Sequence, residues 1–129
     1  MKEKLNAISE AAIGAAIAVH RELGPGLLES AYEACLEFEM LDRGFKVDRQ
    51  LALPVHYRGL LVDCGFRIDL RINELVILEL KAVEKLARIH EAQLHTYLRL
   101  TGLHLGLLMN FNVVRLVDGV KRIVRDFPL

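Results

Sequence analysis

Two short runs within residues 66–81 constrain the fold of this chain more than any other stretch. Residues 66–72 alternate apolar and charged side chains, and this period of two is typical of a strand with one buried face. Residues 75–81 are apolar on both faces until Glu79, as expected of a central strand. The intervening residues 73–74 predict a hairpin turn, so the two strands should pair in antiparallel fashion.

Three charged residues interrupt this apolar pattern: Asp69, Glu79 and Lys81. Burying such charges costs on the order of several kcal/mol unless they are paired or bind a metal. The hairpin would bring Asp69 near Glu79, and two neighbouring carboxylates form a site for a hard divalent cation. Lys81 shares a strand face with Glu79 and would neutralise developing negative charge or orient a water. A simple ion pair between Glu79 and Lys81 is a second interpretation that spacing leaves open.

These residues resemble the D…(D/E)xK core of the PD-(D/E)XK nuclease superfamily, because nine residues separate Asp69 from Glu79-Leu80-Lys81. The GxxExxY element that names one bacterial branch of the superfamily is similar to Gly26-Leu27-Leu28-Glu29-Ser30-Ala31-Tyr32. The QxxxY element of RecB-like nucleases is similar to Gln93-Leu94-His95-Thr96-Tyr97. Three elements in the right order make the resemblance specific.

The resemblance covers about residues 13–122 and departs from the superfamily's name at one position, where Ile68 replaces proline. It implies a metal-dependent nuclease that uses Mg²⁺ or Mn²⁺ and acts on nucleic acid, DNA more than RNA. The implied metal ligands are Glu29, Asp69, Glu79 and the backbone carbonyl of Leu80. The implied catalytic residues are Asp69, Glu79, Lys81 and Gln93, and the supporting residues are Tyr32, Tyr97, His20 and His90.

Several of these implied residues also have a structural interpretation. A carboxylate such as Glu29 in the first turn of a helix stabilises that helix by roughly 0.5 kcal/mol through the dipole. Tyr32 is either a core aromatic or a hydroxyl that orients Glu29, and Gln93 binds either the site or a strand carbonyl. His90 and His20 are each either satisfied structural histidines or residues at the edge of the site.

Hydrophobic periodicity predicts an N-terminal helix over residues 4–22, a Gly-Pro-Gly turn and a second helix over residues 27–43. Alternation predicts a strand over residues 45–57, interrupted near Pro54, and residues 60–65 then lead into the Asp69 strand. The short connections predict a three-strand antiparallel meander.

A change to helical spacing predicts a helix over residues 83–101, followed by an apolar strand over residues 104–110. A right-handed crossover through this helix makes the strand parallel to the Glu79 strand. Residues 112–116 and 120–125 predict a small terminal hairpin. The expected fold class is α/β: a restriction-endonuclease-like mixed sheet flanked by helices, with an extra N-terminal helix.

Length and composition predict a single domain over residues 1–129. No apolar run reaches the roughly 18 residues that span a membrane, and the N-terminus lacks a signal-peptide core, so the expected location is the cytoplasm. Cys35 and Cys64 show neither zinc-ligand nor disulfide-framework spacing. A small domain without a recognition module often pairs as a symmetric dimer, so a homodimer is a further expectation.

The charge balance complicates the nuclease hypothesis. Seventeen basic and seventeen acidic residues give a formal net charge of zero, whereas a dedicated duplex binder usually has a basic excess. Affinity for nucleic acid would then come from a local patch, either Arg67 and Arg71 beside Asp69 or basic residues within 121–125. The alternative is a non-catalytic nuclease-fold module that binds nucleic acid or a protein partner.

Overall fold

The computed structural model describes residues 1–128 and contains a mixed five-stranded sheet between helices. Leu129, the last residue of the predicted domain, lies outside the described residues. No helix among residues 1–128 is long and apolar enough to cross a membrane. The helices are α1 (Lys2–Leu23), α2 (Glu29–Asp42) and α3 (Arg88–Thr101). The strands are β1 (Val47–Ala52), β2 (Val55–Tyr57), β3 (Leu60–Val62), β4 (Arg67–Ile72), β5 (Val76–Lys81), β6 (Leu105–Asn110) and β7 (Val120–Val124).

The five-stranded sheet has the order β1-β4-β5-β6-β7. β1 with β4 and β4 with β5 are antiparallel, while β5 and β6 are parallel and are connected through α3. The predicted meander, crossover helix and parallel strand are therefore confirmed, and the architecture is consistent with a restriction-endonuclease-like core.

The two faces of the sheet pack against different helices because β5 is apolar on both sides. Val76 and Leu78 belong to the core that contains the buried residues of α1 and α2. Ile77 points the other way and packs with Leu94 of α3. β5 is thus buried on both faces, and Glu79 and Lys81 lie at the end of an almost completely buried strand.

The start of α3 differs from the prediction. Residues 82–87 form a loop and the helix begins at Arg88. Asn110, at the end of β6, accepts a hydrogen bond from the Val83 backbone N–H (3.2 Å) and donates one to the Val83 carbonyl (2.9 Å). Because both backbone groups of Val83 bind a side chain from a distant strand, they are not available for a helix.

The predicted terminal hairpin is also wrong in its pairing. Residues 112–116 form no strand, and β7 pairs antiparallel with β6 instead, extending the sheet. A 3-10 turn, Leu116–Gly119, precedes β7, and a Cβ atom at Gly119 would lie 2.3 Å from the Asn110 carbonyl oxygen. This close approach requires glycine. β2 and β3 form a separate two-stranded hairpin in the chain segment that connects β1 to β4.

Candidate functional site

The acidic pair predicted from the sequence lies where β4 and β5 separate. Regular pairing between the two strands ends at Leu70 and Leu78, and the next residues are Asp69 and Glu79. The Asp69 backbone N–H donates to Glu79 Oε1 (3.1 Å), and the Leu80 backbone N–H donates to Asp69 Oδ2 (2.8 Å). Each carboxylate therefore satisfies a backbone donor of the opposite strand that regular pairing does not.

The backbone is distorted at this point on two strands. Ile68 packs on the α3 side of the sheet, whereas Leu70 packs on the α1 and α2 side. Residues two apart on a regular strand share a face, so β4 must turn at Asp69. Opposite Asp69, on β1, Gln50 has a φ of 52°, in the left-handed region that non-glycine residues rarely adopt. At this point the Gln50 side chain reaches Asp69.

Burial controls the electrostatics of the pair. Glu79 is only 4% exposed, and burial together with the charge of Asp69 raises its pKa to about 9. Burial is also the largest cause of the raised pKa of Asp69, to which the charge of Glu33 adds. With a pKa of about 9, Glu79 retains its proton at neutral pH when no metal is bound.

Lys81 lies beside the acidic pair without neutralising it. It shares a β5 face with Glu79, and its charge lowers the pKa of both Asp69 and Glu79, although burial outweighs that effect. The ion pairs of residues 1–128 do not include Lys81. The observed geometry thus differs from the simple Glu79–Lys81 ion pair that the spacing left open.

Helix α2 contributes two carboxylates, one turn apart, in different surroundings. Glu29 is exposed in the first turn, and its Oε2 accepts a hydrogen bond from the Ala82 backbone N–H just beyond β5 (3.2 Å). Glu33 is buried, at 6% exposure. Glu29 therefore lies at the end of the strand that carries Glu79 and Lys81, whereas Glu33 faces β1.

Glu33 binds two residues of β1 that the sequence analysis did not identify, and one of them, Gln50, links it to Asp69. Arg49 Nε donates to Glu33 Oε2 (2.9 Å), and Gln50 Nε2 donates to Glu33 Oε1 (2.6 Å). The same Gln50 nitrogen lies 3.3 Å from Asp69 Oδ1. One signal was present: Glu33 stands three residues before Leu36 on an apolar helical stripe, where a carboxylate requires partners.

Tyr32 anchors the loop that leads to Glu29, and its hydroxyl binds backbone groups of that loop. Its hydroxyl donates to the Gly24 carbonyl (2.6 Å) and accepts from the Leu27 backbone N–H (3.1 Å). Its ring stacks on Phe111, with 4.6 Å between centroids. Tyr32, the tyrosine of the predicted GxxExxY element, therefore holds the start of α2 against the core.

The two histidines bind backbone groups. His20 Nε2 lies 2.9 Å from the Val113 carbonyl oxygen and ties α1 to the loop after β6. His90 Nδ1 accepts from the Ala87 backbone N–H (2.9 Å) and caps the start of α3. Both contacts are structural in kind.

The predicted QxxxY residues lie on α3, and Tyr97 packs with Ile68 and Ile77, the sheet residues near Asp69 and Glu79. Burial, with the charges of Glu79 and Asp69, raises the pKa of Tyr97 to about 12. Gln93 lies one turn earlier and lines, with Tyr97, a groove of about 510 Å³ on the outer side of α3. Both residues thus share one groove.

The predicted nucleic-acid-contacting basic residues differ in exposure and in ion pairing. Arg67 is exposed, and its Nη1 donates to the Phe66 carbonyl (3.1 Å). Arg71 instead donates from Nε and Nη2 to Asp48 Oδ2, at 2.9 and 2.8 Å. On β7, Lys121 pairs with Glu91 (2.9 Å). Arg67 is therefore the more accessible arginine of the predicted pair.

Among residues 1–128, no three histidine, cysteine, aspartate or glutamate side chains cluster closely enough to hold a metal ion. The donor set at the acidic pair nevertheless suits a hard cation. Asp69 and Glu79 offer carboxylate oxygens, and burial, the largest cause of their raised pKa values, disfavours their charged forms more than Lys81 favours them. A divalent cation in place of the retained proton would favour those charged forms.

Comparison with known proteins adds a family to this geometry. The family model described as the PD-(D/E)XK nuclease superfamily matches residues 6–123. No curated protein matches the chain significantly, and no solved structure does. The matched region covers most of the chain and includes α2, α3, the acidic pair and Lys81. The chain therefore belongs to the PD-(D/E)XK nuclease superfamily.

Proposed function

We propose that this protein is a Mg²⁺- or Mn²⁺-dependent nuclease of the GxxExxY branch that hydrolyses phosphodiester bonds in nucleic acid. The observation that carries the proposal is the approach of Asp69, Glu79 and Lys81 at the point where β4 and β5 separate. Membership of the superfamily supports the nuclease-like fold, and the GxxExxY and QxxxY elements support the finer assignment.

The metal ligands in this proposal are the carboxylates of Asp69 and Glu79 and the backbone carbonyl of Leu80, with Glu29 contributing from α2. The burial of the pair supports this choice, because burial raises the pKa of both acids and the charge of Asp69 adds to the rise at Glu79. When bound, Mg²⁺ or Mn²⁺ lowers the pKa of a water molecule and stabilises negative charge on a phosphate.

The remaining residues position groups and stabilise charge. The Lys81 ammonium, whose field reaches both carboxylates, orients the attacking water or stabilises the charge on the phosphate. The Tyr97 hydroxyl keeps its proton at neutral pH because its pKa is raised to about 12, so it serves as a hydrogen-bond donor. Gln93 orients water or phosphate, and Arg67 contacts the backbone of the substrate.

The direct test uses the purified chain with Mn²⁺ on plasmid and on labelled DNA and RNA oligonucleotides. Asp69→Asn should reduce cutting by at least about 100-fold, the order of effect expected when one electrostatic catalytic group is removed. Asp48→Asn is the matched control, because Asp48 is a half-buried strand carboxylate whose partner is Arg71. Failure to cut any substrate, or full activity of Asp69→Asn, would refute the proposal.

One observation favours a second candidate, a non-catalytic nuclease-fold module that binds nucleic acid or a protein. Within residues 1–128 the acidic pair has no third metal-binding side chain clustered with it. Isothermal titration with Mn²⁺ separates the two functions. The nuclease requires saturable binding that Glu79→Gln removes, whereas the module requires none at millimolar metal.

A further inference from the structure

A groove of about 510 Å³ runs between the outer side of α3 and the segment that leads into β4. Its apolar lining is exposed: Phe66 is 41% and Ile89 70% accessible, and Leu100 is also exposed. Exposed apolar surface that is contiguous and concave usually marks a binding site. The groove is therefore a candidate binding site.

One wall of the groove packs beside the strand that carries Asp69. Gln93 and Tyr97 belong to this wall, and Tyr97 shares a buried cluster with Ile68, the residue before Asp69. The Tyr97 ring meets that of Phe66 edge-on, with centroids 6.3 Å apart at 60°. A molecule that lies on Phe66 is thus next to an aromatic wall on the side of β4 that leads to Asp69.

The β2–β3 hairpin extends the same apolar surface. Val55 lines the groove, and its register partner is Val62, while Tyr57 is paired with Leu60. Side chains two apart on a strand, and directly paired side chains, share one face, so these four residues point to the same side of the hairpin. Tyr57 and Leu60 are exposed there. The aromatic and aliphatic surface therefore continues outward from the groove.

The charges around the groove are basic. Its lining contains Arg99 and His90 and no aspartate or glutamate. Arg67 and Arg88, both exposed, are the sequence neighbours of two of its apolar residues. Glu91, the acid nearest in sequence on α3, is paired with Lys121 of β7. The groove thus combines flat apolar surface with positive charge, which suits a ligand with flat rings and phosphates.

We propose that this groove binds an unpaired strand of nucleic acid, with bases stacked on Phe66 and phosphates facing Arg67 and Arg99. The inference rests on the proposed nuclease function and names its substrate class. A duplex presents sugars and phosphates on its outside and hides the faces of its bases, so an aromatic groove gains little from it. The net charge of zero fits a ligand held by stacking with few phosphate contacts.

Binding is measured by fluorescence anisotropy in EDTA, so that no cutting takes place. The probes are a labelled single strand of about 16 nucleotides, as DNA and as RNA, and the same DNA annealed to its complement. We expect the single strand to bind at least about tenfold more tightly than the duplex. The dependence of log Kd on log salt should have a magnitude of about 1 to 2, because only one or two phosphates are neutralised.

Two variants locate the binding surface. Phe66→Ala should weaken single-strand binding about fivefold or more, the lower end of the effect of losing one stacked base. Ile89→Asp should weaken it similarly by placing a carboxylate beside the phosphates. Ile89 is the second residue of α3, where a carboxylate favours the helix, so the fold is retained. The matched controls are Phe38→Ala on the α1–α2 face, with Phe38 67% exposed, and Val114→Asp, with Val114 93% exposed.

Equal affinity for duplex and single strand, a steep salt dependence, or variants that bind like their controls would each overturn the groove assignment. These outcomes are independent of catalysis. Single-strand binding that depends on Phe66, without any cutting in Mn²⁺, would support the groove proposal and refute the proposed nuclease activity. Cutting that is unchanged in Phe66→Ala and Ile89→Asp would support the nuclease activity and refute the groove proposal.

Discussion

Each end of the β4–β5 strand pair contains a glutamate, but the pKa of the glutamate is shifted in opposite directions at the two ends. At the turn end, Glu74 is exposed and pairs with Lys46 from the segment before β1, which lowers the pKa of Glu74. At the other end, Glu79 is buried next to Asp69 and its pKa rises to about 9. Burial and the nature of the neighbour, rather than residue type, set the direction of the shift.

The comparison teaches where this chain leaves charge uncompensated. Toward the turn end, Asp48 also has a cation, since Arg71 donates to it twice. Asp69 and Glu79 instead accept hydrogen bonds from backbone N–H groups and from Gln50. At the turn end each of these acids therefore has a cationic partner. The acidic pair instead needs a bound proton or cation to balance its negative charge.

The largest expected difference between the two ends is in activity. Glu79→Ala should abolish Mn²⁺ binding and reduce cutting by at least about 100-fold, because it removes a proposed ligand and charged group. Glu74→Ala should leave both unchanged, since its carboxylate faces solvent far from the centre. Parallel titrations and plasmid assays measure both effects. Equal losses in the two variants would show that the ends do not differ as we infer.

The second difference is the dependence of stability on pH in the absence of metal. In the unfolded chain Glu79 ionises near pH 4.5, whereas in the folded chain it holds its proton up to about pH 9. The folded state binds the extra proton in this window, so the free energy of unfolding falls as the pH rises through it, by at most about 1.4 kcal/mol per pH unit.

Urea titrations between pH 5 and pH 8 check this slope. Glu79→Gln should reduce it, because the amide oxygen still accepts from the Asp69 backbone N–H but no longer titrates. Glu74→Gln is the control and should leave the slope of the wild-type protein in place. A wild-type protein that became more stable across the window would contradict the prediction.

The third difference concerns backbone residues with positive φ at each end. Gln50 (φ 52°) bridges Glu33 and Asp69, and Glu74 (φ 58°) is in the turn. Glycine accepts this conformation without strain, so Gln50→Gly should alter the free energy of unfolding by no more than about 1 kcal/mol. It should nevertheless reduce kcat about tenfold, because Asp69 loses a hydrogen bond that orients it. Glu74→Gly, the matched change at the turn, should retain full kcat.

The smallest effect is expected from the exposed ion pair at the turn. Lys46→Gln removes the partner of Glu74, but both side chains are exposed, so water and salt replace most of the interaction. Thermal unfolding of Lys46→Gln in high salt should coincide with that of the wild-type protein. A persistent loss of stability in high salt would mean that the turn depends on this pair more than its exposure indicates.

The order and type of most elements were predictable from the sequence, as was the candidate acidic pair. The strand period around Asp69 and the apolar run ending at Glu79 are local patterns, and they were sufficient to predict two adjacent antiparallel strands. The start of α3 was not predictable, because Asn110, a distant residue, binds the backbone of Val83. The pairing of β7 with β6 was missed for the same reason, since two nearby segments suggested a local hairpin.

The sequence by itself determined the strand pair, its neighbouring acids and the family motifs, because these depend on side-chain period and spacing along one stretch of chain. Only the tertiary structure decided that Gln50 links Glu33 to Asp69, that Arg71 is paired with Asp48, and that a groove runs along α3 beside Phe66. Those contacts depend on a left-handed residue in β1 and on how α2 and α3 pack against the sheet. Packing brings together residues far apart in sequence, and no local pattern encodes their distance.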